Sequence, residues 1–252
     1  MSYEIDLSNQ VALITGSGKG IGAEIASVLA SAGATVIIND IMDEEMCIET
    51  LNNISQIGPN PYYIKCDISN EDDVKSMIET VKEKFGRLDI IVNNAVISVN
   101  SGASYDKMFA VNVKGAAYVT ENSYTLLKES KGKIVNIVSA SVFMGRTESK
   151  EYVSTKAGVY GLSMFYAKHY AKDGIRVNAV APAVVVTDLM IKRYGSKEAI
   201  LEHYKYKMPL GRVGYPKDTA NVVLFLVSHM SDMLTGEVLF VDGGRMHIGH
   251  NI

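Results

Sequence analysis

Val11-Ala-Leu-Ile-Thr15 runs straight into Gly16-Ser-Gly-Lys-Gly-Ile-Gly22. An uncharged, apolar run of this length suits a strand buried on both faces, as in a parallel sheet. Beyond it, Ile21, Ile25, Val28, Leu29 and Ala32 recur at helical spacing, and Gly33 ends the run. Between strand and helix, Gly16, Gly20 and Gly22 permit a tight turn and let backbone N–H groups approach a pyrophosphate. The helix N-terminus adds positive partial charge at the same place. A glycine cluster alone is also compatible with a flexible turn; its position between strand and helix points to dinucleotide binding.

Outward from this unit the alternation continues. Thr35–Asn39, Tyr62–Cys66, Leu88–Asn93, Lys133–Ser139, Ile175–Ala181 and Glu237–Val241 read as strands. Helices are expected at 43–57, along the stripe Val74, Met77, Ile78, Val81 and Phe85 stopped by Gly86, and at 105–129, 151–173 and 218–230. Ser69 or Asn70 is placed to cap the third helix. The alternation predicts right-handed crossovers and one domain over 1–252: an α/β, Rossmann-type, doubly wound parallel seven-stranded sheet with helices on both faces.

Composition narrows the function classes. The 252 residues are 47% apolar, enough for a sizeable core, and Lys+Arg 25 against Asp+Glu 28 leaves a net charge of −3. That balance argues against a nucleic-acid partner. Asn178, Pro182 and Asp188 interrupt the best apolar stretch before it reaches the ~18 residues of a membrane helix, so no membrane partner is expected. Glu4 and Asp6 mark the start as no secretory signal. Cys47 and Cys66 cannot form a disulfide framework and suit a reducing, cytoplasmic setting. His169, His203, His229, His247 and His250 show no ligand spacing, so no metal is expected.

Asp40 ends the second strand 18 residues after Gly22 (40 − 22). A carboxylate there accepts from ribose hydroxyls and repels a 2′-phosphate, which favours NAD over NADP. Lys19, a cation in the glycine turn, argues the other way with less weight. Two Tyr-x-x-x-Lys pairs place both side chains on one helix face: Tyr124/Lys128 and Tyr152/Lys156. Tyr124/Lys128 has nothing reactive before it and reads as a surface pair. Tyr152/Lys156 follows a strand ending in Ser139, on the carboxyl side where such sheets bind ligands. An ammonium ~4 Å from a phenol is worth about 4 kcal/mol at an effective dielectric of 20, lowering its pKa by about 3 units. Tyr152 then exchanges a proton with an alcohol or carbonyl, while Ser139 holds the substrate oxygen.

With these elements in place, residues 8–244 resemble the short-chain dehydrogenase/reductase family. The matches are Thr15–Gly22, Asp67 after the third strand, Asn93-Asn-Ala95, Asn112, Ser139, Tyr152, Lys156, Arg176-Val-Asn-Ala-Val-Ala-Pro182, Thr187 and Val241-Asp-Gly-Gly244. The resemblance implies a catalytic tetrad of Asn112, Ser139, Tyr152 and Lys156, with Asn112 holding a water in a proton relay and Lys156 binding the nicotinamide ribose. It implies cofactor contacts from Gly16, Ser17, Lys19, Gly20, Ile21, Gly22, Asp40, Asp67, Ile68, Asn94, Ala95, Tyr152, Lys156, Pro182 and Thr187. It further implies a homotetramer, or homodimer, built through the helices at 105–129 and 151–173.

Three departures stand out. Val96 replaces a family glycine, resisting a left-handed backbone and adding bulk near the cofactor; Ala183 replaces another; and the 94–112 segment is short. Residues 184–210 are expected to form a flap over the substrate. Within 190–207, Lys192, Arg193, Lys197, Lys205 and Lys207 against Glu198 and Glu202 leave +3 (5 − 2), suited to an anionic substrate or to a solvated face. Arg146 and Lys150 allow the same two readings. Tyr194, Tyr204, Tyr206 and Met208 either line a pocket or pack the flap. The expected function is interconversion of a secondary alcohol and a carbonyl on a small molecule, of 3-oxoacyl-thioester or sugar/polyol type. The rival is a non-catalytic dinucleotide-binding or scaffold protein on the same fold.

Overall fold

β1 (Val11–Thr15) is buried along its whole length, and its successive side chains serve opposite faces of the sheet. Ala12 and Ile14 join one core and Val11 and Leu13 the other. The structure, a computed structural model, describes residues 5–99, 101–145 and 149–248. After β1 come α1 (Gly20–Ser31), β2 (Thr35–Asp40), a 3-10 turn at Glu44–Cys47, α2 (Ile48–Ser55), β3 (Tyr62–Lys65), α3 (Glu71–Phe85) and β4 (Ile90–Asn93). Next are α4 (Tyr105–Phe109), a π-helical segment at Ala110–Gly115, α5 (Ala116–Asn122), α6 (Tyr124–Ser130), β5 (Lys133–Ile137) and α7 (Ser141–Met144). The chain continues through α8 (Lys150–Tyr170), β6 (Arg176–Pro182), α9 (Asp188–Tyr194), α10 (Lys197–Tyr204), α11 (Pro216–Val227) and β7 (Val238–Val241).

All seven strands are parallel, in the order β3-β2-β1-β4-β5-β6-β7. The doubly wound α/β sheet expected from the alternation is the one found. α1 and α11 cover one face through Ile25, Leu29, Val223 and Leu226. α3, α5 and α8 cover the other through Val74, Ile78, Val119 and Tyr166. The edge strands β3 and β7 are only partly buried, whereas β4 is buried throughout. From β1 the chain winds outward to β3, returns to β4 and winds the opposite way. Such a reversal leaves a crevice at the carboxyl ends of β1 and β4, where open α/β sheets bind ligands.

Local signals mostly act as expected. Asn70, rather than Ser69, caps α3 by accepting from the Asp72 N–H, and Gly86 at φ 65° stops it. The stretch expected as one helix at 105–129 is interrupted instead. Asn112 lies in the π-helical turn, where its side chain bonds Ile97 and Thr155 across to neighbouring elements. A π turn is a common way to aim one side chain out of a helix ladder. Cys47 and Cys66 are both free and buried. Among the described residues no helix is long and apolar enough to cross a membrane, and no cluster of His, Cys, Asp or Glu could hold a metal.

Candidate active site

The glycine turn is locked to the end of β4. The Asn94 amide donates to the carbonyls of Thr15 (3.0 Å) and Gly16 (2.9 Å). In return the Thr15 hydroxyl accepts from the backbone N–H groups of Asn94 and Ala95. Gly16, at φ +61°, lies so close that a Cβ there would stand 2.6 Å from the Ala95 Cα. Gly20, at φ +66°, has no atom within 4 Å of where a Cβ would be, so it offers bare backbone to open space at the start of α1. That open backbone at a helix N-terminus fits a pyrophosphate. Ser17 is buried and turned inward, its hydroxyl donating to the Ile14 carbonyl, while Lys19 is exposed.

Asp40 faces this turn. Its carboxylate accepts from the N–H of Gly18 (3.0 Å), of Ile41 (2.8 Å) and of Met42 (3.3 Å). The negative charge is thereby fixed beside the glycine turn, as an acid meant for ribose hydroxyls requires. Asp67 and Ile68 lie outside the main cleft. Asp67 accepts from Ser69 and borders a separate hollow of about 450 Å³ with Ile41 and Cys66. Ile68 is buried against Gly115.

The main cleft, of about 1010 Å³, brings together Ile21, Asn94, Ser139, Tyr152, Lys156, Pro182 and Thr187 from six different parts of the chain. Tyr152 stands in the first turn of α8, which Ser149 caps by accepting from the Tyr152 N–H. The Thr155 hydroxyl donates to the Tyr152 carbonyl (2.8 Å) and accepts from Asn112 (3.0 Å), so the tyrosine's turn is tied to the π segment. Burial holds the Tyr152 phenol above its ordinary pKa, and a hydrogen bond with the Ser139 hydroxyl offsets part of that rise. Lys156 is buried, donates to the Ile137 carbonyl (2.6 Å), and is pushed down to about 8 by desolvation.

One expectation changes here. The Tyr152 pKa is raised rather than lowered, because burial of the phenol outweighs the opposing hydrogen bond with Ser139. Asn112 does not line the cleft. Its side-chain oxygen accepts from the Ile97 N–H, and its amide donates to the Ile97 carbonyl and Thr155. Val96 does line the cleft, but without left-handed backbone: among the described residues only Asn9 and Lys131 are non-glycines at positive φ.

The residues at hand fit a nicotinamide dinucleotide: open glycine backbone, a carboxylate fixed at the end of β2, and Lys156 and Thr187 lining the cleft that Ile21 also borders. When bound, that group supplies or accepts a hydride. Sequence comparison decides the family. The family model described as enoyl-(acyl carrier protein) reductase matches residues 16–246. The chain belongs to the short-chain dehydrogenase/reductase family.

Relatives in this oxidoreductase family include the 3-oxoacyl-[acyl-carrier-protein] reductase FabG of Aquifex aeolicus, 37% identical over 96% of this chain and 99% of that protein. The (2S)-[(R)-hydroxy(phenyl)methyl]succinyl-CoA dehydrogenase subunit BbsD of Thauera aromatica is 37% identical over 95% of this chain and 97% of its own. Among solved structures, Cj0485 dehydrogenase superposes with a TM-score of 0.90 at 28% identity, covering 99% of each chain. Levodione reductase does so at 0.86 and 28%, over 96% of this chain and 99% of that one.

The second Tyr–Lys pair of this family member has a structural task. The Tyr124 hydroxyl donates to Asp173 (2.8 Å) and Lys128 pairs with the same carboxylate (2.9 Å), at the amino end of β6. The bond to Asp173 raises the pKa of Tyr124 against the opposing effect of Lys128 and keeps the phenol a donor. Tyr124→Phe therefore leaves kcat and KM at wild-type values in a steady-state assay, while a loss like that of a Tyr152 variant contradicts the assignment.

The flap contains two helices, α9 and α10, that periodicity did not reveal. Each is short, and the available signals were their caps: Thr187 accepts from Met190 and Ser196 from Ala199. Met208 is buried in the flap's own core with Ile200 and Val213, Tyr206 is exposed, and Tyr194 and Tyr204 line the cleft. Lys192 and Arg193 line it too. The other flap cations are engaged elsewhere: Lys197 over the Tyr215 ring, Lys205 with Glu202, and Lys207 with His203. Arg146 and His250 lie outside the described residues, and Lys150 pairs with Glu151 rather than lining the cleft. Sequence reasoning missed Arg245, which reaches the cleft from the turn after β7.

Proposed function

We propose that this chain reduces the carbonyl of a 3-oxoacyl thioester, or a close analogue, to a secondary alcohol, with NAD as the dinucleotide. The observation that carries this reading is the meeting of Tyr152, Ser139 and Lys156 in one cleft with the glycine turn's Ile21 and Asn94. Tyr152, its pKa raised by burial, is a protonated phenol at neutral pH and can give its proton to a carbonyl oxygen. Ser139 donates to that oxygen as negative charge gathers on it. Lys156 binds the nicotinamide ribose and, as a cation, offsets the phenolate left behind.

An acyl substrate is supported over a sugar or polyol by the walls. Val96, Val99, Met144, Val184, Leu189 and Met190 are apolar, and among the described residues no carboxylate lines the cleft to bind sugar hydroxyls. The names of the FabG and BbsD relatives point to acyl groups as well. Asp40, fixed by three backbone N–H groups, supports NAD over NADP. Exposed Phe109 and Phe165 on α4 and α8 support assembly through those helices.

Initial rates at 340 nm test the reading, using acetoacetyl-CoA, sugars and simple ketones with each reduced dinucleotide. The expected result is thioester reduction that prefers NADH. Asp40→Ala reduces that preference about 10–100-fold, the worth of hydrogen bonds to a charged acceptor. A wild type already favouring NADPH contradicts the assignment to Asp40, and turnover confined to sugars contradicts the acyl substrate.

A further inference from the structure

Resting on the reading that this cleft is the reaction site, we infer that its substrate carries, besides the reacting carbonyl, an anionic oxygen group that Arg245 binds. α9, α10 and the turn after β7 build one wall of the cleft and place Lys192, Arg193, Tyr204 and Arg245 on it. Among the described residues lining the cleft there is no Asp or Glu to balance the charge of Arg245.

Arg245 is the centre of the argument. Its guanidinium lies over the Tyr204 ring, 5.8 Å from the centroid, and its Nε is buried with no hydrogen-bond partner. A buried charged donor left unpaired is costly, and a planar fork of N–H groups matches a carboxylate or phosphate in two parallel bonds. The acid nearest in sequence, Asp242, is not available: its two oxygens accept from the backbone N–H groups of Gly244 and Met246. Those bonds hold the turn that presents Arg245. Across the wall, the Tyr204 and Tyr194 hydroxyls bond one another at 3.0 Å, which fixes the ring under the guanidinium. Lys192 adds positive charge from α9.

A cation on a preformed aromatic platform, beside open cleft and without a carboxylate, is a receptor for an oxyanion. The same chemistry is supplied by a substrate carboxylate or by the phosphate of a thioester carrier. Calorimetry on the chain saturated with NAD⁺ separates the two, since a ketone added to the oxidised dinucleotide binds without turning over. The probes are methyl-ketone acids from 4-oxopentanoate to 8-oxononanoate, their methyl esters, and phosphate monoesters of matching length.

At one chain length or more, wild type binds the anion at least about 10-fold more tightly than the neutral ester. Tighter binding of the carboxylate identifies an acid substrate, and tighter binding of the phosphate identifies a carrier. Arg245→Leu brings the anion-to-ester ratio to within about twofold of one, while Arg245→Lys, which keeps the charge and loses the fork, retains part of it. Equal affinity for anion and ester in wild type at every length overturns the inference, as does an Arg245→Leu ratio equal to that of wild type. NADH consumption with acetoacetyl-CoA tests the chemistry separately: a preserved ratio without turnover leaves the anion site standing and removes the reductase reading.

Discussion

Tyr152→Phe lowers turnover about 10²–10⁴-fold, the usual contribution of a positioned general acid, while dinucleotide binding persists. The phenylalanine ring keeps the packing of α8 and loses only the hydroxyl that meets Ser139. The direction of the pKa shift also sets a pH signature. A phenol held up by burial is protonated through neutral pH, so carbonyl reduction proceeds at a level rate there. Alcohol oxidation needs the phenolate, whose fraction grows about tenfold per pH unit below the pKa. Steady-state rates in both directions, from about pH 6 to 9, check this. An oxidation rate that does not climb with pH contradicts the role given to Tyr152.

Lys156→Met has the second large effect, and it acts in two directions at once. Activity falls about 10²–10³-fold, as when a preorganised electrostatic group is removed. Stability rises. Burial brings the Lys156 pKa from 10.5 to about 8, so at neutral pH the folded state carries about 3 kcal/mol of desolvation penalty at this nearly inaccessible site. Removing the ammonium recovers that amount and leaves the Ile137 carbonyl without its donor, a loss of about 1 kcal/mol. The net gain of roughly 1–2 kcal/mol raises Tm by about 2–8 °C.

The sign of the pH dependence follows from the same shift. With the folded pKa below the unfolded one, the unfolded chain binds the extra proton between pH about 8 and 10.5. Wild-type stability therefore gains with rising pH across that window, relative to the methionine variant, and the difference between them closes by its upper end. Thermal melts at pH about 7 and about 10 measure it. A methionine variant less stable than wild type at pH about 7 contradicts the account. A buried cation that costs stability is common where function requires the charge.

The fold was legible because its signals are local. β1 reads as a buried parallel strand from five residues, and Gly86 stops α3 as its place in the pattern predicts. Tyr152, Lys156 and Ser139 were legible because helix spacing and the end of β5 place them together. What stayed hidden depends on contacts between distant segments. The break in the 105–129 helix comes from Asn112 reaching Ile97 and Thr155, fifteen and forty-three residues away. The hydrogen bond from Lys156 to the Ile137 carbonyl likewise joins α8 to β5. Arg245 follows a glycine pair with no periodicity around it, and only the turn after β7 carries it into the cleft.

Rapid mixing of wild type and Tyr152→Phe with NADH and acetoacetyl-CoA, followed at 340 nm in a single turnover, bears most directly on the proton donor. Wild type consumes NADH at a rate level from about pH 6 to 7, below the Lys156 pKa of about 8, and the variant is slower at every pH by about 10²-fold or more. A variant that consumes NADH as fast as wild type means that some other group protonates the substrate oxygen.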